Sequence, residues 1–307
     1  MVAMQSAFAQ TYPGRSLRII VPFAAGGGVD NIARIVGQRL GEQLGQPVVV
    51  DNRPGGNANI GLEMAAKARP DGYTLLMASS IITVNRALMA NLPFDPLKDF
   101  TPVARVGYSP SILVCLPSFP AKSVKDLVAM AKAQPGKLTF ASTGTGSGQH
   151  LAGEMLKLHA NVDIVHVPYK GGSQGINDLL GGHVSFMFTV PSEVLPHISA
   201  NRLKALAVTS KARASFLPEV PGVFESGYDF EHIAWWGLVV PAGVPKEIVD
   251  KLNVETNKVL ALPVVKESLN RMGVEVSAAT PEQFKEFFDN RAESDARLIA
   301  TLKLRVE

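Results

Sequence analysis

Cysteine is almost absent. One residue, Cys115, in a chain of 307 excludes an internal disulfide and a cysteine-based zinc site. Long apolar runs are missing too. Apolar runs such as residues 17–25 and 112–116 stop well short of the 18 or so that a membrane span needs. Neither sign of charge dominates: 30 Lys and Arg against 27 Asp and Glu leave a formal +3, and the basic residues are scattered, so no nucleic-acid footprint is expected. No coiled coil, collagen-like fibre or disulfide scaffold fits this composition. Neither G-x-G-x-x-G nor G-x-x-x-x-G-K-[ST] occurs, so no nucleotide cofactor is expected. The six histidines show no H-E-x-x-H and no ligand spacing, so no metal is expected either. What remains is an ordinary globule, 46% hydrophobic and 19% charged. Its length corresponds to about two domains of roughly 150 residues.

The first residues bear on the chain's address. Ala7-Phe8-Ala9 is the small-residue pattern that signal peptidase accepts, although the charged and apolar regions that normally precede it are missing. Thr11-Tyr12-Pro13-Gly14, a helix-breaking stretch, follows. Residues 1–9 are therefore expected to be the remnant of a signal peptide, and the mature body of an exported protein is expected to begin near Gln10.

The hydrophobic pattern alternates strand and helix. Strands are predicted at residues 18–23, 46–50, 73–78, 137–141, 164–167, 184–188 and 203–208, with helical periodicity between most of them. This pattern implies βαβ units and parallel sheets. Ser123 with Asp126, and Thr280-Pro281-Glu282-Gln283, read as capped helix starts. Two apolar, proline-flanked segments, residues 103–116 and 232–240, bracket the middle of the chain. They are expected to be crossings between two lobes: residues 12–105 with 236–307 form one lobe, residues 106–235 the other, and a ligand cleft lies between them.

Two glycine-rich loops each follow a strand and precede a helix. Gly26-Gly27-Gly28 lies in the first lobe, and Ser142-Thr143-Gly144-Thr145-Gly146-Ser147-Gly148 in the second. A helix start leaves unpaired N–H donors and a partial positive charge, so each junction is a natural anion cradle. In open α/β sheets ligands sit beyond the carboxyl ends of the strands, where both loops fall. Two cradles facing across a cleft suit a small carboxylate, whereas glycines that merely make tight turns would not need to come as a pair. Asp30 puts a negative charge beside the first cradle; it either caps the helix, accepts a donor from the ligand, or holds a bridging water. His150, in the first turn after the second loop, is either a donor to a bound anion or a packed residue. Trp235-Trp236 reads as core at the lobe junction. Gly171-Gly172-Ser173-Gln174-Gly175 matches a nucleophile elbow. It supports an alternative reading as a serine hydrolase, with Asp178 or Asp229 and His183, His197 or His232 as partners.

Six motifs occur in order: Val21-Pro22-Phe23-Ala24-Ala25-Gly26-Gly27-Gly28-Val29-Asp30, Asp51-Asn52-Arg53-Pro54-Gly55-Gly56, Pro70-Asp71-Gly72-Tyr73-Thr74-Leu75, Val167-Pro168-Tyr169-Lys170-Gly171-Gly172, Leu180-Gly181-Gly182-His183-Val184, and Trp236-Gly237-Leu238 followed by Pro241-Ala242-Gly243-Val244-Pro245. In these the chain resembles the Bug family of periplasmic solute-binding proteins, the TctC-like receptors of tripartite tricarboxylate transporters. The resemblance implies an α/β type II periplasmic-binding-protein fold, a two-lobe Venus flytrap. It also implies capture of a small organic acid by a monomeric, non-enzymatic protein without cofactor, and delivery to membrane permease subunits. By the same resemblance Phe23, Ala25, Gly26, Gly27, Gly28 and Asp30 grip the ligand from one lobe, and Thr143, Gly144, Thr145, Gly146 and Ser147 from the other, with ordered waters. Ser80, Tyr169, Gly171, Thr189 and Ser192 would complete the wall. Thr189 stands where family members often carry Asn. Ser173 falls within the Pro-Tyr-Lys-Gly motif, which makes the elbow coincidental.

Overall fold

The computed structural model describes residues 12–302 apart from 90, 146, 170 and 171. The expected signal remnant and the site candidates Gly146 and Gly171 lie outside the described residues.

The chain begins as βαβ units. Strands β1 (Leu17–Val21), β2 (Val48–Asn52) and β3 (Thr74–Ser79) are joined by helices α1 (Gly28–Leu44) and α2 (Asn59–Ala66). β1 pairs in parallel with both of its neighbours. After α3 (Ile81–Leu88) comes β4 (Phe100–Pro110), and one residue later β5 (Ile112–Cys115) starts a different sheet. The middle section runs α4 (Val124–Ala133), β6 (Thr139–Ser142), α5 (Gly148–Ala160), β7 (Val165–Pro168), α6 (Gly172–Leu180), β8 (Phe186–Thr189), α7 (Pro191–Ser199) and β9 (Lys204–Val208). β10 (Ile233–Pro241), α8 (Lys246–Ala261), α9 (Pro263–Arg271), β11 (Glu275–Val276) and α10 (Pro281–Thr301) complete the chain. The two sheets have strand orders β11-β4-β10-β3-β1-β2 and β7-β6-β8-β5-β9.

Residues 103–116 and 232–240 lack alternation because β4 and β10 are buried on both faces in the middle of the first sheet. They pair antiparallel from Ile233 opposite Pro110 to Pro241 opposite Phe100, so most of each segment is strand. The change of sheet is confined to Ser111 on the outward path and to the stretch between Val208 and Ile233 on the return. Thr209, fully buried, ties the two paths together. Its amide donates to Ser111 O at 2.9 Å, its Oγ1 accepts from Ser111 N at 2.8 Å, and the His232 amide donates to Thr209 O at 3.0 Å.

Strand periodicity divides each core in two. On the first sheet Leu17, Ile19 and Val21 face α1 and α8, meeting Val36, Leu40 and Leu252. The intervening Ile20 faces the other way with Leu76, Trp235 and Phe284. Phe140, Phe186 and Phe188 pack under α4 and α5 in the second lobe; Val114, Ala141 and Met187 pack against α6. Each such side chain contributes about 1.5–3 kcal/mol by leaving water. Packing is tight at Gly237, where a Cβ would stand 2.2 Å from Phe284 Cζ and 3.0 Å from the Ala104 carbonyl. Gly237→Ala is therefore expected to cost about 1–3 kcal/mol, read as a lower midpoint in thermal or urea denaturation; an unchanged midpoint would show that α10 yields freely.

Candidate functional site

Between the sheets lies a cavity of about 590 Å³. β3 runs into α3 at its wall, which places Ser79, Ser80, Ile81, Val84 and Leu88 there. Across from them the β6–α5 junction supplies Thr143, Thr145, Ser147, Gly148 and Gln149. Phe23 and Asn57 come from the first lobe's loops, Val29 from the start of α1, Ser111 and His232 from the crossings, Ala234 and Trp236 from β10, and Arg291 and Asp295 from α10. Leu151 of α5 packs with Val84, Leu88 and Ile299, so the two lobes also meet beside the cavity.

The first glycine loop is held from below. Asp30, only 1% exposed, accepts from the Gly26 amide at 2.8 Å and Arg34 Nε at 2.9 Å on one oxygen, and from Asn52 Nδ2 at 3.0 Å on the other. Asn52 also donates to the Phe23 carbonyl at 3.1 Å. Burial alone would raise the Asp30 pKa, but the hydrogen bonds from Arg34, the Gly26 amide and Asn52 outweigh it and hold the carboxyl below its usual range. Gly26 takes φ +85°, a turn open to glycine at little cost. Of the candidates here only Phe23 is on the cavity wall. Ala25, Gly26, Gly27 and Gly28 are exposed around it, and Asp30 is spent on the loop itself.

The second loop is closer to the cavity. Ser142 Oγ accepts from the Gly144 amide at 3.1 Å and pairs with His166 Nε2 at 2.6 Å, and Gly144 sits at φ +121°. Ser147 is the N-cap of α5, its Oγ accepting from the His150 amide at 3.3 Å. Among the described residues, no hydrogen bond takes up the Gly148 and Gln149 amides, two of the donors that a helix start leaves open. Thr143 Oγ1 donates to Gln149 Oε1 at 2.9 Å.

The remaining candidates point elsewhere. The His150 ring is buried, stacked on His166 at 4.0 Å and beside Phe140, and burial pushes its pKa down to about 4. It is a core residue of the second lobe rather than a cleft donor. Tyr169 donates to Asp178 Oδ2 at 2.6 Å. Thr189, fully buried, donates to Glu193 Oε2, and Ser192 is exposed on α7. None of these lines the cavity. Ser173 stands exposed within α6; no hydrogen bond among the described residues joins it to a histidine or carboxylate, Asp178 is taken by Tyr169, and His232 packs on Gly148. The elbow is not assembled.

Sequence reasoning missed α10's contribution. Arg291 Nη2 donates to Asp295 Oδ1 at 3.1 Å, and Thr83 Oγ1 donates to Asp295 Oδ2 at 2.7 Å. Arg291 Nε and His232 Nδ1 are buried without a hydrogen-bond partner. Burial, with the nearby Arg291 charge, pushes the His232 pKa down to about 3. Arg291 and Asp295, four residues apart on one helix face, were the available signal, but nothing in the sequence aims that face at the cleft. No group of three metal-ligating side chains occurs among the described residues, and no described helix is long and apolar enough to cross a membrane.

Comparison with known proteins gives a consistent answer. Residues 32–304 match the model of the tripartite tricarboxylate transporter family receptor. Protein BugT of Bordetella pertussis is 39% identical over 282 residues, 91% of this chain and 86% of BugT. Among solved structures, Rpa4515 of R. palustris with adipate is 31% identical at TM-score 0.84, covering 96% of this chain and 99% of that one. MatC from Rhodopseudomonas palustris with bound malate is 28% identical at TM-score 0.79, covering 94% and 100%.

Proposed function

The chain belongs to the tripartite tricarboxylate transporter receptor family, and we propose that it is the periplasmic receptor that captures one small carboxylate-bearing metabolite in its cleft and presents it to the membrane permease. The family is one of two-lobe substrate-binding receptors, and no chemistry is asked of the site. The observation that carries the reading is the shared wall of the cavity. The α5 start, with the amides of Gly148 and Gln149 and hydroxyls at Thr143, Thr145 and Ser147, faces Ser80 and the α3 start of the other lobe. A carboxylate there takes donors from both lobes at once, so it binds the closed arrangement better than an open one and shifts the population toward closure. The Ser111–Thr209–His232 lacing is the natural hinge, because Ser111 alone links the sheets on the outward path and Thr209 bonds it to His232 on the return path. Phe23, Val84, Leu88 and Trp236 supply an apolar middle for the ligand. In this reading the protein works as a monomer, with the lobes divided near residues 105 and 236, and the exposed amides of Gly27 and Gly28 close over the ligand.

A thermal-shift screen of carboxylates tests this. A ligand at a hundred times its Kd adds about 2.7 kcal/mol, which corresponds to about 4–5 °C in Tm for a chain of this size. A shift with at least one carboxylate, lost on Thr145→Val combined with Ser147→Ala, is expected. A library including malate and adipate that leaves the Tm unmoved would contradict the assignment of the cleft.

A further inference from the structure

Four helices start at the cleft wall: α1, α3, α5 and α7, whose N-cap Val190 lies on it. A helix start carries about half a positive charge, which an anion within the first turn answers. Three of the four starts are already answered from inside the protein. Asp30 lies in the first turn of α1, buried, and binds the Gly26 amide in front of it. α3 lacks an acidic residue in its own first turn but has Asp295 hydrogen-bonded to Thr83 there. Glu193 lies in the first turn of α7. Among the described residues, by contrast, no carboxylate is hydrogen-bonded to Gly148 or Gln149 at the α5 start, whose first turn holds no acidic residue. Among the wall residues the ionisable charges are Arg291 and Asp295, paired with each other at 3.1 Å, and they cancel. Burial holds His232 neutral. The α5 start is therefore the one helix end on this wall whose positive charge no described carboxylate answers. Beside it stand buried hydrogen-bonding positions without a partner, Arg291 Nε as a donor and His232 Nδ1 as donor or acceptor, together with the remaining lone pairs of Asp295.

Resting on the proposed receptor function, we propose that this cleft selects a monoanion: one carboxylate on the α5 start, and elsewhere on the ligand an uncharged group that both accepts and donates, of the carboxamide kind. A carboxamide oxygen accepts from the Arg291 guanidinium and its NH₂ donates to Asp295. A second carboxylate in that place meets the Asp295 charge with no unpaired cation to answer it, and like charges brought together out of water repel strongly.

The test is calorimetric titration of the full chain at pH 7.5 with matched pairs of four to seven carbons: each linear diacid against its half-amide, for example adipate against adipamate, with the plain monoacid as a third probe. The best half-amide is expected to bind at least about tenfold tighter than its diacid, and tighter than the monoacid, which leaves the buried polar atoms unpaired. Where a diacid binds, titrations in buffers of different ionisation enthalpy are expected to show uptake of close to one proton, with none for the half-amide. Asp295→Asn is expected to shrink the gap between pair members to within about threefold; should that variant not fold, the wild-type comparison and the proton count decide alone. A diacid binding as tightly as its half-amide without proton uptake overturns this inference and leaves the receptor reading intact. Failure of all three classes to bind overturns the receptor reading itself.

Discussion

Between pH 6.5 and pH 4 the melting temperature is expected to fall steeply, with unfolding near pH 5 taking up two to three protons. Three histidines are folded into apolar surroundings. His232 is 7% exposed and His150 4%; burial pushes the first down to about 3 and the second to about 4. His166, stacked on His150 and bonded to Ser142, is pushed down to about 4 by burial and by the neighbouring His150. In each case the folded pKa is below the unfolded one, so the unfolded chain holds more protons throughout this window. The stabilisation is complete above pH 6.5 and is lost as the pH falls through 4, and through 3 for His232. A histidine neutral in the fold and charged when unfolded contributes a slope of about 1.4 kcal/mol per pH unit. Three together approach about 4 kcal/mol per unit, less a discount for the partial exposure of His166. Asp295 works the other way, since burial raises its pKa, but one carboxyl does not offset three imidazoles. Against a total stability of about 5–15 kcal/mol, two pH units are enough to unfold the protein. Melting curves at pH 7.5, 5.5 and 4.5 check this, and His232→Gln should flatten the dependence. A Tm independent of pH across this range would show that water reaches these rings.

Asp30→Ala is expected to be the most damaging single change near the cleft. It removes the acceptor for the Gly26 amide, Arg34 and Asn52 together. Arg34 is about half exposed and recovers its hydration, but the amide of Asn52, which also holds the Phe23 carbonyl, loses a partner. Stranding donors beside a vanished buried charge costs about 3–5 kcal/mol, a Tm loss of about 5–8 °C. Phe23 lines the cavity, so affinity for any carboxylate should fall at least about tenfold as the loop loosens. Asp30→Asn, which keeps one acceptor oxygen, should fall between the two. A variant that melts like the wild type and binds normally would show that the loop is ordered by its glycine turn alone.

The sequence carried the alternation of strand and helix, the two glycine-rich junctions and the capped starts at Ser123 and Thr280, because each is set by residues close together in the chain. Ser123 accepts from the Asp126 amide, and Thr280 and Gln283 form a capping box, as their spacing predicts. β4 and β10 show no strand alternation in the sequence, since a strand covered on both faces keeps its period only in backbone pairing, which no side-chain pattern records. α3 escaped notice because β-branched Ile81, Ile82, Thr83 and Val84 read as strand; Asn85 and Thr83, both fully buried, hold it in place through Asn57 and Asp295. At the site, Thr145 and Ser147 were legible as polar residues in a loop next to a helix start. His150, Tyr169 and Thr189 carry the same kind of local signal, but their partners, His166, Asp178 and Glu193, turn them inward. Arg291 and Asp295 lie more than a hundred residues from Thr145, and only the antiparallel return of the chain through β10 brings them to the same wall.

The two tryptophans, Trp235 and Trp236, are adjacent in sequence and opposite in environment. Trp235 is sealed among Phe284, Phe287 and Phe288, while Trp236 borders the cavity. Fluorescence titration with a carboxylate that raises the Tm is the direct measurement of whether the space between the lobes is where ligand goes. A saturable emission change in the wild type that disappears in Trp236→Phe, while calorimetry still detects binding, is the result this account predicts. An equal change in Trp236→Phe, or saturation of heat with no optical change in the wild type, would put the ligand somewhere else on the molecule.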